Sequence, residues 1–296
     1  MSYQRTGAWN IQKRLQYIEE IDYGVTPNAS PTFIHAGKIK RFSFNIDAAV
    51  QRYRSLGLRG VCKFLETSQL YSFELEYQPI DIALMSYGIN NPVGAGTIAE
   101  SLSFFYSKLI DGVENYYFLK GCKTDSISVE CTKEAINVTQ SFLCKEITTP
   151  ATTHSLTTPT FATNPTDKPW VAEDGGANPF VYNAVAHDTP RFSFDVSWNL
   201  DPGQPNGTFL ISFLDPTNKD INVDFDVWQK DTEFIADLKS GVQRAMTYSL
   251  HSTAALVTFT DFLNESYSIE EDANANSTTI EPASGGAAEV SIAAHA

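Results

Sequence analysis

A short segment near the start of the chain returns almost unchanged 150 positions later. Residues 41–47, RFSFNID, recur at 191–197 as RFSFDVS, with four of the seven residues identical. At the same spacing FELEY at 73–77 recurs as VDFDV at 223–227. Apolar and polar residues alternate in these segments, which is the pattern of a half-buried β-strand. The chain is therefore predicted to be mainly β and to hold two copies of one unit.

Each copy also contains one short segment with helical spacing. In the first copy Ile80, Ala83, Leu84 and Tyr87 repeat at three- and four-residue intervals and predict a helix that Gly88 ends. The second copy has DTEFIADLKSG at 231–241, with Gly241 as its C-terminal cap. We therefore expect one short flanking α-helix in each unit.

The repeats divide the chain of 296 residues into five predicted segments. A Thr/Pro/Asn-rich stretch separates the copies, and an Ala/Ser/Gly-rich stretch ends the chain, as is typical of linkers and tails. The segments are an N-terminal arm at 1–31, unit 1 at 32–147, a connector at 148–190, unit 2 at 191–281 and a flexible C-terminal tail at 282–296.

Composition excludes several functional classes. The formal net charge of −14 argues against a general nucleic-acid binder, which needs basic surfaces to neutralise phosphates. No apolar run reaches the ~18–20 residues of a membrane span, and no signal-peptide pattern opens the sequence, so we expect synthesis in the cytoplasm without membrane contact. The four cysteines lack paired zinc-site spacing and are predicted to be small buried side chains.

No pattern for catalysis or cofactor binding emerges. The five histidines are scattered, and no serine or cysteine lies in a nucleophile motif. The glycine-rich stretch at 94–99 follows a turn rather than a strand, so it does not predict a dinucleotide site. Glu74 and Glu76 share one strand face and leave a glycosidase open as an alternative. We expect no enzyme, no metal and no cofactor.

The polar faces of the predicted strands carry several acidic residues. The sequence predicts that these faces contain neither lysine nor arginine. The eight acidic candidates are Asp47, Glu74, Glu76, Glu130, Asp195, Asp224, Asp226 and Glu270. A basic loop with Arg52, Arg54 and Arg59 follows the first strand of copy one. Its counterpart at 201–207 lacks arginine, so the copies differ here. The loop is either an exposed surface loop or a contact with an acidic neighbouring subunit.

Several segments resemble the tail tube (major tail) proteins of long-tailed phages and archaeal tailed viruses. They are IDYGVTP at 21–27, FSFNID at 42–47, FLKGCKTDSISVE at 118–130 and ADLKSG at 236–241. The resemblance implies two tandem tail-tube-type β-sandwich (partial barrel) units that assemble into stacked rings. It also implies that the eight acidic candidates face the lumen and that the arginine loop contacts the next ring.

Rings in this family have six units, so a duplicated chain predicts three chains per ring. Four inner strands from each unit give 24 strands, which at about 4.8 Å each form a barrel roughly 37 Å across, or about 25 Å inside the side chains. An acidic wall would repel phosphates and let viral DNA pass without binding. The expected partners are the chain itself and the tape-measure, tail-tip or baseplate, and tail-terminator proteins of the virion. An adhesin with two β-sandwiches that binds a receptor or glycan is the alternative.

Overall fold

The fold is given by a computed structural model in which strands dominate and two short helices lie against them. It describes residues 14–53, 63–90, 101–110, 112–148, 151–163, 165–176, 179–187, 189–203, 211–228, 233–267 and 280–293. Among these residues no helix is long and apolar enough to cross a membrane.

The two halves of the chain contain the same succession of elements. The first half has β1 (Arg14–Glu19), β2 (Ile34–His35), β3 (Lys38–Tyr53), β4 (Lys63–Gln78), α1 (Ala83–Ile89), β5 (Leu102–Ile110), β6 (Val113–Thr132), β7 (Ile136–Cys144) and β8 (Glu146–Ile147). The second half has β9 (Phe180–Tyr182), β10 (Val185–His187), β11 (Arg191–Ser197), β12 (Leu200–Gly203), β13 (Phe213–Pro216), β14 (Asp220–Trp228), α2 (Glu233–Ser240), β15 (Arg244–His251), β16 (Ala255–Tyr267), β17 (Ile280–Gly286) and β18 (Glu289–Ala293). A 3-10 helix at Ala172–Gly175 precedes β9, and β12 and β13 form a separate hairpin between β11 and β14.

One antiparallel sheet of eight strands, here called the central sheet, crosses both halves. Its order is β3-β4-β7-β6-β11-β14-β17-β16. The first four strands and the last four occur in the same relative order, and β6 and β11 join them through seven paired positions. The segments that repeat in the sequence thus occupy matching places in one sheet.

Two smaller sheets, the first and second flanking sheets, cover one side of the central sheet. Their orders are β2-β1-β5-β6-β8 and β10-β9-β15-β16-β18, again matching strand for strand. Aromatic side chains fill the space between layers: Phe73 lies 4.7 Å from Phe104 between ring centroids, and Phe192 stacks on Tyr248 at 4.0 Å. The fold class is therefore mainly β and sandwich-like, as the sequence predicts.

Strands β6 and β16 belong to both the central and a flanking sheet, because each bends where it passes between them. Gly121 in β6 and Asp261 in β16 both have positive φ, +61° and +53°, and lie 140 positions apart. A Cβ at Gly121 would lie 2.6 Å from the Lys145 Cβ, so glycine is required there. One continuous strand, β6, therefore takes part in both sheets.

The two predicted helices are present with small shifts in their ends. Gly241, with φ +64°, follows α2 as the expected cap. Gly88 does not end α1: it lies inside the helix, and Asn90 is the cap residue. A Cβ at Gly88 would lie 2.9 Å from the Ile127 Cδ1, so this glycine allows the helix to pack closely on β6.

The chain ends are more ordered than the composition suggests. β1 lies within the predicted N-terminal arm and pairs with β5 over six positions. The prediction that 282–296 is a flexible tail is wrong for the described residues, because β17 pairs with β14 and β18 pairs with β16. Its small residues serve close packing: a Cβ at Gly285 would lie 2.1 Å from the Leu263 carbonyl oxygen.

The predicted connector at 148–190 also contains ordered contacts with the rest of the chain. Trp170 is buried, and its backbone N–H donates to the Pro79 carbonyl at 2.9 Å. Phe180–Tyr182 forms β9 and pairs with β15. The cysteine prediction is confirmed for Cys122, Cys131 and Cys144, which are buried. Burial raises the pKa values of the Cys122 and Cys131 thiols, so both stay neutral.

Candidate functional site: a polar sheet face and an open sheet edge

The side of the central sheet that faces away from the core carries polar side chains along all eight strands. We call it the polar face. One row across it contains Glu76, Thr139, Ser128, Asp195 and Asn222 on successive strands. Side chains alternate between the two faces of the sheet along each strand, so the polar residues of this row point outward. Their apolar neighbours, such as Leu75, Val129 and Phe194, point into the core.

Seven of the eight acidic candidates are described, and all seven lie on the polar face at exposed or half-buried positions. They are Asp47, Glu74, Glu76, Glu130, Asp195, Asp224 and Asp226; Glu270 lies outside the described residues. A second row joins Glu130, Ser193, Asp224, Ser284 and Ser266 across five strands. The sheet therefore brings acids of both halves onto one surface.

Two arginines interrupt this acidic surface at matching positions, so the prediction of a face without bases is wrong. Arg41 lies opposite Glu76 and 4.0 Å from the Glu74 carboxylate. Arg191, 150 positions later, lies opposite Asp226. Arg41 lies two positions before Ser43, and Arg191 lies two positions before Ser193, so each arginine is on the same face of its strand as that serine. The alternation in RFSFNID and RFSFDVS therefore already places both arginines on the polar face. Each arginine has carboxylates beside it, and the surface remains predominantly acidic.

The electrostatic environment of Asp226 shows how closely the acids are placed. Partial burial raises the pKa of its carboxyl group, the Arg191 guanidinium lowers it, and the neighbouring Asp224 carboxylate raises it again. The net direction is upward. Neighbouring carboxylates on an open face create a negative surface potential, which repels anions.

The polar face does not have the form of a deep catalytic cleft. A groove of about 270 Å³ runs along it and is lined by Glu74, Asn45 and Asp125 among others. A larger groove, about 440 Å³, lies on the first flanking sheet beside His154 and Lys120, away from the polar face. Within the described ranges no cluster of three or more His, Cys, Asp or Glu side chains could hold a metal ion.

The second feature is the open edge of the central sheet at β3. Within the described residues β3 pairs only with β4. Its inward positions were expected to be buried, yet Phe44 is 36% exposed and Ile46 is 49% exposed. Phe42 contacts Tyr106 at 4.9 Å between ring centroids, and Phe44 contacts Tyr117 at 5.8 Å. An apolar, aromatic strip thus lies along a strand whose outer edge has no partner in the described part of the chain.

Beyond the central sheet β3 and β4 continue together as a two-stranded ribbon. The β4–β7 pairing covers only Tyr71–Tyr77, whereas the β3–β4 pairing continues to Tyr53 and Lys63. Arg52 lies in this ribbon, while Arg54 and Arg59 lie outside the described residues. The second half has the separate β12–β13 hairpin in the equivalent place, so the two halves project different structures here.

A sheet whose edge strand is apolar and lacks an outer partner in the described residues can act as a template for pairing with another strand. Comparison with family models agrees: the phage tail tube protein family matches residues 11–296. The chain belongs to that family, which makes it a structural protein of the virion tail that assembles with itself and with other tail components. No curated protein matches the chain.

Proposed function

We propose that the chain closes into rings whose stacking forms the tail tube, and that the polar face lines the channel through which viral DNA leaves the virion. The central sheet carries this proposal: it is continuous across both halves, has one polar face and ends at β3, whose outer edge has no partner in the described residues. Closing such a sheet into a barrel removes the unpaired edges.

The matched halves support a two-unit division of the chain. Strand order is the same in both, and the bends at Gly121 and Asp261 lie at equivalent positions. A β-bulge at Asp125 in the β6–β7 pair also corresponds to one at Glu265 in the β16–β17 pair. We propose that each unit supplies four strands to the channel wall, so that three chains make a pseudo-hexameric ring.

The dimensions of such a ring suit a DNA conduit. Three chains would contribute 24 strands, for a barrel about 37 Å across before strand tilt and roughly 25 Å wide inside the side chains. The carboxylates of the polar face would repel the phosphate backbone, and Arg41 and Arg191 would be neutralised by the acids beside them. DNA would move through the channel without binding.

Electron microscopy of concentrated purified protein tests the assembly. We expect rings or tubes of uniform diameter to form from the chain alone. A protein that stays monomeric at every concentration, by light scattering as well as by microscopy, would contradict the proposed function.

Lysine substitutions at Glu74 and Glu76 test the role of the polar face. Tubes should still form, because both side chains project away from the core, but virions carrying the variant should release DNA more slowly, since lysine attracts phosphate. The measurement is the rate of DNA release from purified virions. Asp167→Lys with Glu173→Lys makes the same charge change at exposed positions off this face. Equal release rates for the two variants would contradict the proposal that the polar face lines the channel.

Alanine substitutions at Arg52, Arg54 and Arg59 test the proposed contact between rings. We expect rings of normal diameter but shorter tubes, because the ribbon of β3 and β4 projects beyond the rest of the sheet. The tube-length distribution in micrographs is the readout. Alanine at the exposed residues Lys133, Lys168 and Lys239 removes the same charge elsewhere. Unchanged tube length in the arginine variant would contradict this assignment.

The remaining partners follow from the same proposal. A tube of this kind would enclose a tape-measure protein and end at tail-tip or baseplate and tail-terminator proteins. The chain would be made in the host cytoplasm and function in the virion tail, with neither a cofactor nor a catalytic role.

A further inference from the structure

Two buried cysteines face each other where β6 bends between the sheets. β6 pairs with β8 up to Lys120 and with β7 from Lys123, and both pairings have the same register. That register places Cys122 opposite Cys144. Their Sγ atoms lie 2.7 Å apart, and both side chains are 0% exposed. We call these two residues the cysteine pair; it lies where the central sheet and the first flanking sheet separate.

The backbone geometry at the cysteine pair suits a disulfide bond. Residues directly opposite on antiparallel strands have Cα atoms about 4.5–5.5 Å apart. A disulfide bond requires a Cα separation of roughly 4.4–6.8 Å, so the strands already hold the two residues at a suitable distance. The sulfur atoms need to move only about 0.7 Å closer to reach the S–S bond length of about 2.05 Å.

Burial alone does not distinguish the cysteine pair, because Cys131 is also buried. Of the cysteines that the structure describes, Cys131 is the one outside the pair. It lies in β6 opposite Ile136 on one side and Phe192 on the other. Its thiol is hydrogen-bonded to Tyr248. Cys131 therefore provides an internal comparison, a buried thiol without a second cysteine beside it.

The second half of the chain has other residues at the equivalent positions. Phe262 corresponds to Cys122 at the 140-residue spacing and is 0% exposed. Ala287 lies one step beyond the β16–β17 pairing, in the place that Cys144 has beside β6. An aromatic and a small side chain fill this place in the second half. Packing in this fold thus does not require two thiols here, and the cysteine pair is a feature of the first half.

A surface turn at 22–25 lies beside the cysteine pair. Val25 donates its backbone N–H to the Asp22 carbonyl at 2.8 Å, which closes the turn. A Cβ at Gly121, the neighbour of Cys122, would lie 3.1 Å from the Tyr23 ring. Burial raises the pKa of the Tyr23 hydroxyl, and the two cysteines raise it further, so Tyr23 lies close to both thiols. This turn separates the pair from solvent.

We propose that Cys122 and Cys144 form a disulfide bond when the folded chain meets oxidising surroundings, and that they stay reduced in the host cytoplasm. The oxidant is a small-molecule disulfide such as oxidised glutathione, which reaches the pair when the turn at 22–25 opens. One cysteine attacks it as a thiolate, which releases a first thiol and leaves a mixed disulfide; the other cysteine then displaces the second thiol. Two electrons pass to the reagent, and both protons end on the released thiols.

The bond would fasten the bend in β6 to the end of β7. It would restrict the unfolded chain by closing a loop that contains the whole β6–β7 hairpin, and so stabilise the first half. A virion tail protein is made in a reducing cell and then meets oxidising surroundings outside it. The chain would gain stability after release. Because the bond forms within one chain, it does not depend on ring assembly.

Counting free thiols in the folded chain tests this bond. A chain with Cys62→Ser would be incubated with reduced or oxidised glutathione, quenched in acid, unfolded and alkylated with N-ethylmaleimide. Mass spectrometry then counts the alkylated thiols. We expect all three remaining cysteines to be alkylated after the reduced buffer, but Cys131 alone after the oxidised buffer. Peptide mapping without reductant should find residue 122 linked to residue 144.

Two alanine variants of buried cysteines serve as a matched comparison. Cys131→Ala keeps the cysteine pair, so oxidised glutathione should raise its midpoint of thermal unfolding by about 5 °C or more, as in the parent chain. Cys144→Ala introduces the residue type that the second half has at this place. It should give no link within the chain and the same unfolding midpoint in both buffers.

Several results would overturn the proposed bond. One is full alkylation of all three thiols after the oxidised buffer, even with incubation a few degrees below the unfolding midpoint, where local opening is frequent. Another is a link that involves Cys131, and a third is an equal shift in the midpoint for Cys144→Ala. Chains that form the link but no rings or tubes in micrographs would contradict the proposed function and leave the bond standing.

Discussion

Lysine at Phe44 and Ile46 is expected to abolish ring formation while the chain stays folded. Both side chains are partly exposed in the single chain, so the double variant should lose less folding stability than lysine at the buried counterparts Phe194 and Val196. In the ring each position would be covered as Phe194 and Val196 are, and an unpaired ammonium group there would cost several kcal/mol. Light scattering and electron microscopy measure assembly, and thermal unfolding measures stability.

A matched control removes apolar surface elsewhere. Val113 and Val185 are 49% and 42% exposed, and neither lies on β3 or near the end of β16. Lysine at both should leave assembly unchanged. Rings that form normally from the Phe44 and Ile46 variant would show that the open edge is not a subunit contact.

The equivalent change in the internal junction is expected to destabilise the chain itself. Phe194 is 1% exposed and lies 5.3 Å from Phe259 between ring centroids. Phe194→Ala should therefore lower the free energy of unfolding by about 3–5 kcal/mol, through lost burial and the cavity it leaves. Urea unfolding followed by circular dichroism provides the measurement, in dilute protein that has not assembled.

Phe44→Ala is the control for this prediction, because Phe44 corresponds to Phe194 in the sequence repeat. In unassembled protein it should lower the free energy of unfolding by clearly less than Phe194→Ala does, because Phe44 is 36% exposed and leaves no enclosed cavity. Similar losses for the two variants would mean that the two strands have similar surroundings, contrary to the structure.

Much of the fold was predictable because the repeat and the strand alternation are both local in sequence. RFSFNID and RFSFDVS do form the equivalent strands β3 and β11, and the polar face follows from their period of two. The helix over 231–241 is also found as α2, since its apolar spacing and its glycine cap agree.

Other features depend on contacts between distant segments and could not be predicted. Gly121 allows one strand to pass between two sheets, and only the proximity of Lys145 shows why glycine is needed there. The Ala/Ser/Gly composition after 281 suggested a tail, but small residues are what the close approach of Leu263 to Gly285 requires. Composition alone does not distinguish these two uses of small side chains.

The candidate site was predicted in part. Seven acidic candidates do lie on one face, whereas Arg41 and Arg191 were overlooked although they follow the same alternation. The exposure of Phe44 and Ile46 could not be predicted from the sequence. The alternation predicts that both lie on the inward face, but it does not predict whether a neighbouring strand covers them. That information comes only from the comparison with Phe194 and Val196 in the folded chain.

Electron cryomicroscopy of tubes grown from the purified chain tests the central claim most directly. We expect three chains per ring, a continuous wall of 24 strands, and the face with Glu76, Asp195 and Asp224 turned toward the channel. A ring of six chains would contradict the stoichiometry. A wall with that face turned outward, or no tube at all, would contradict the proposal that this chain forms the acidic lining of a DNA channel.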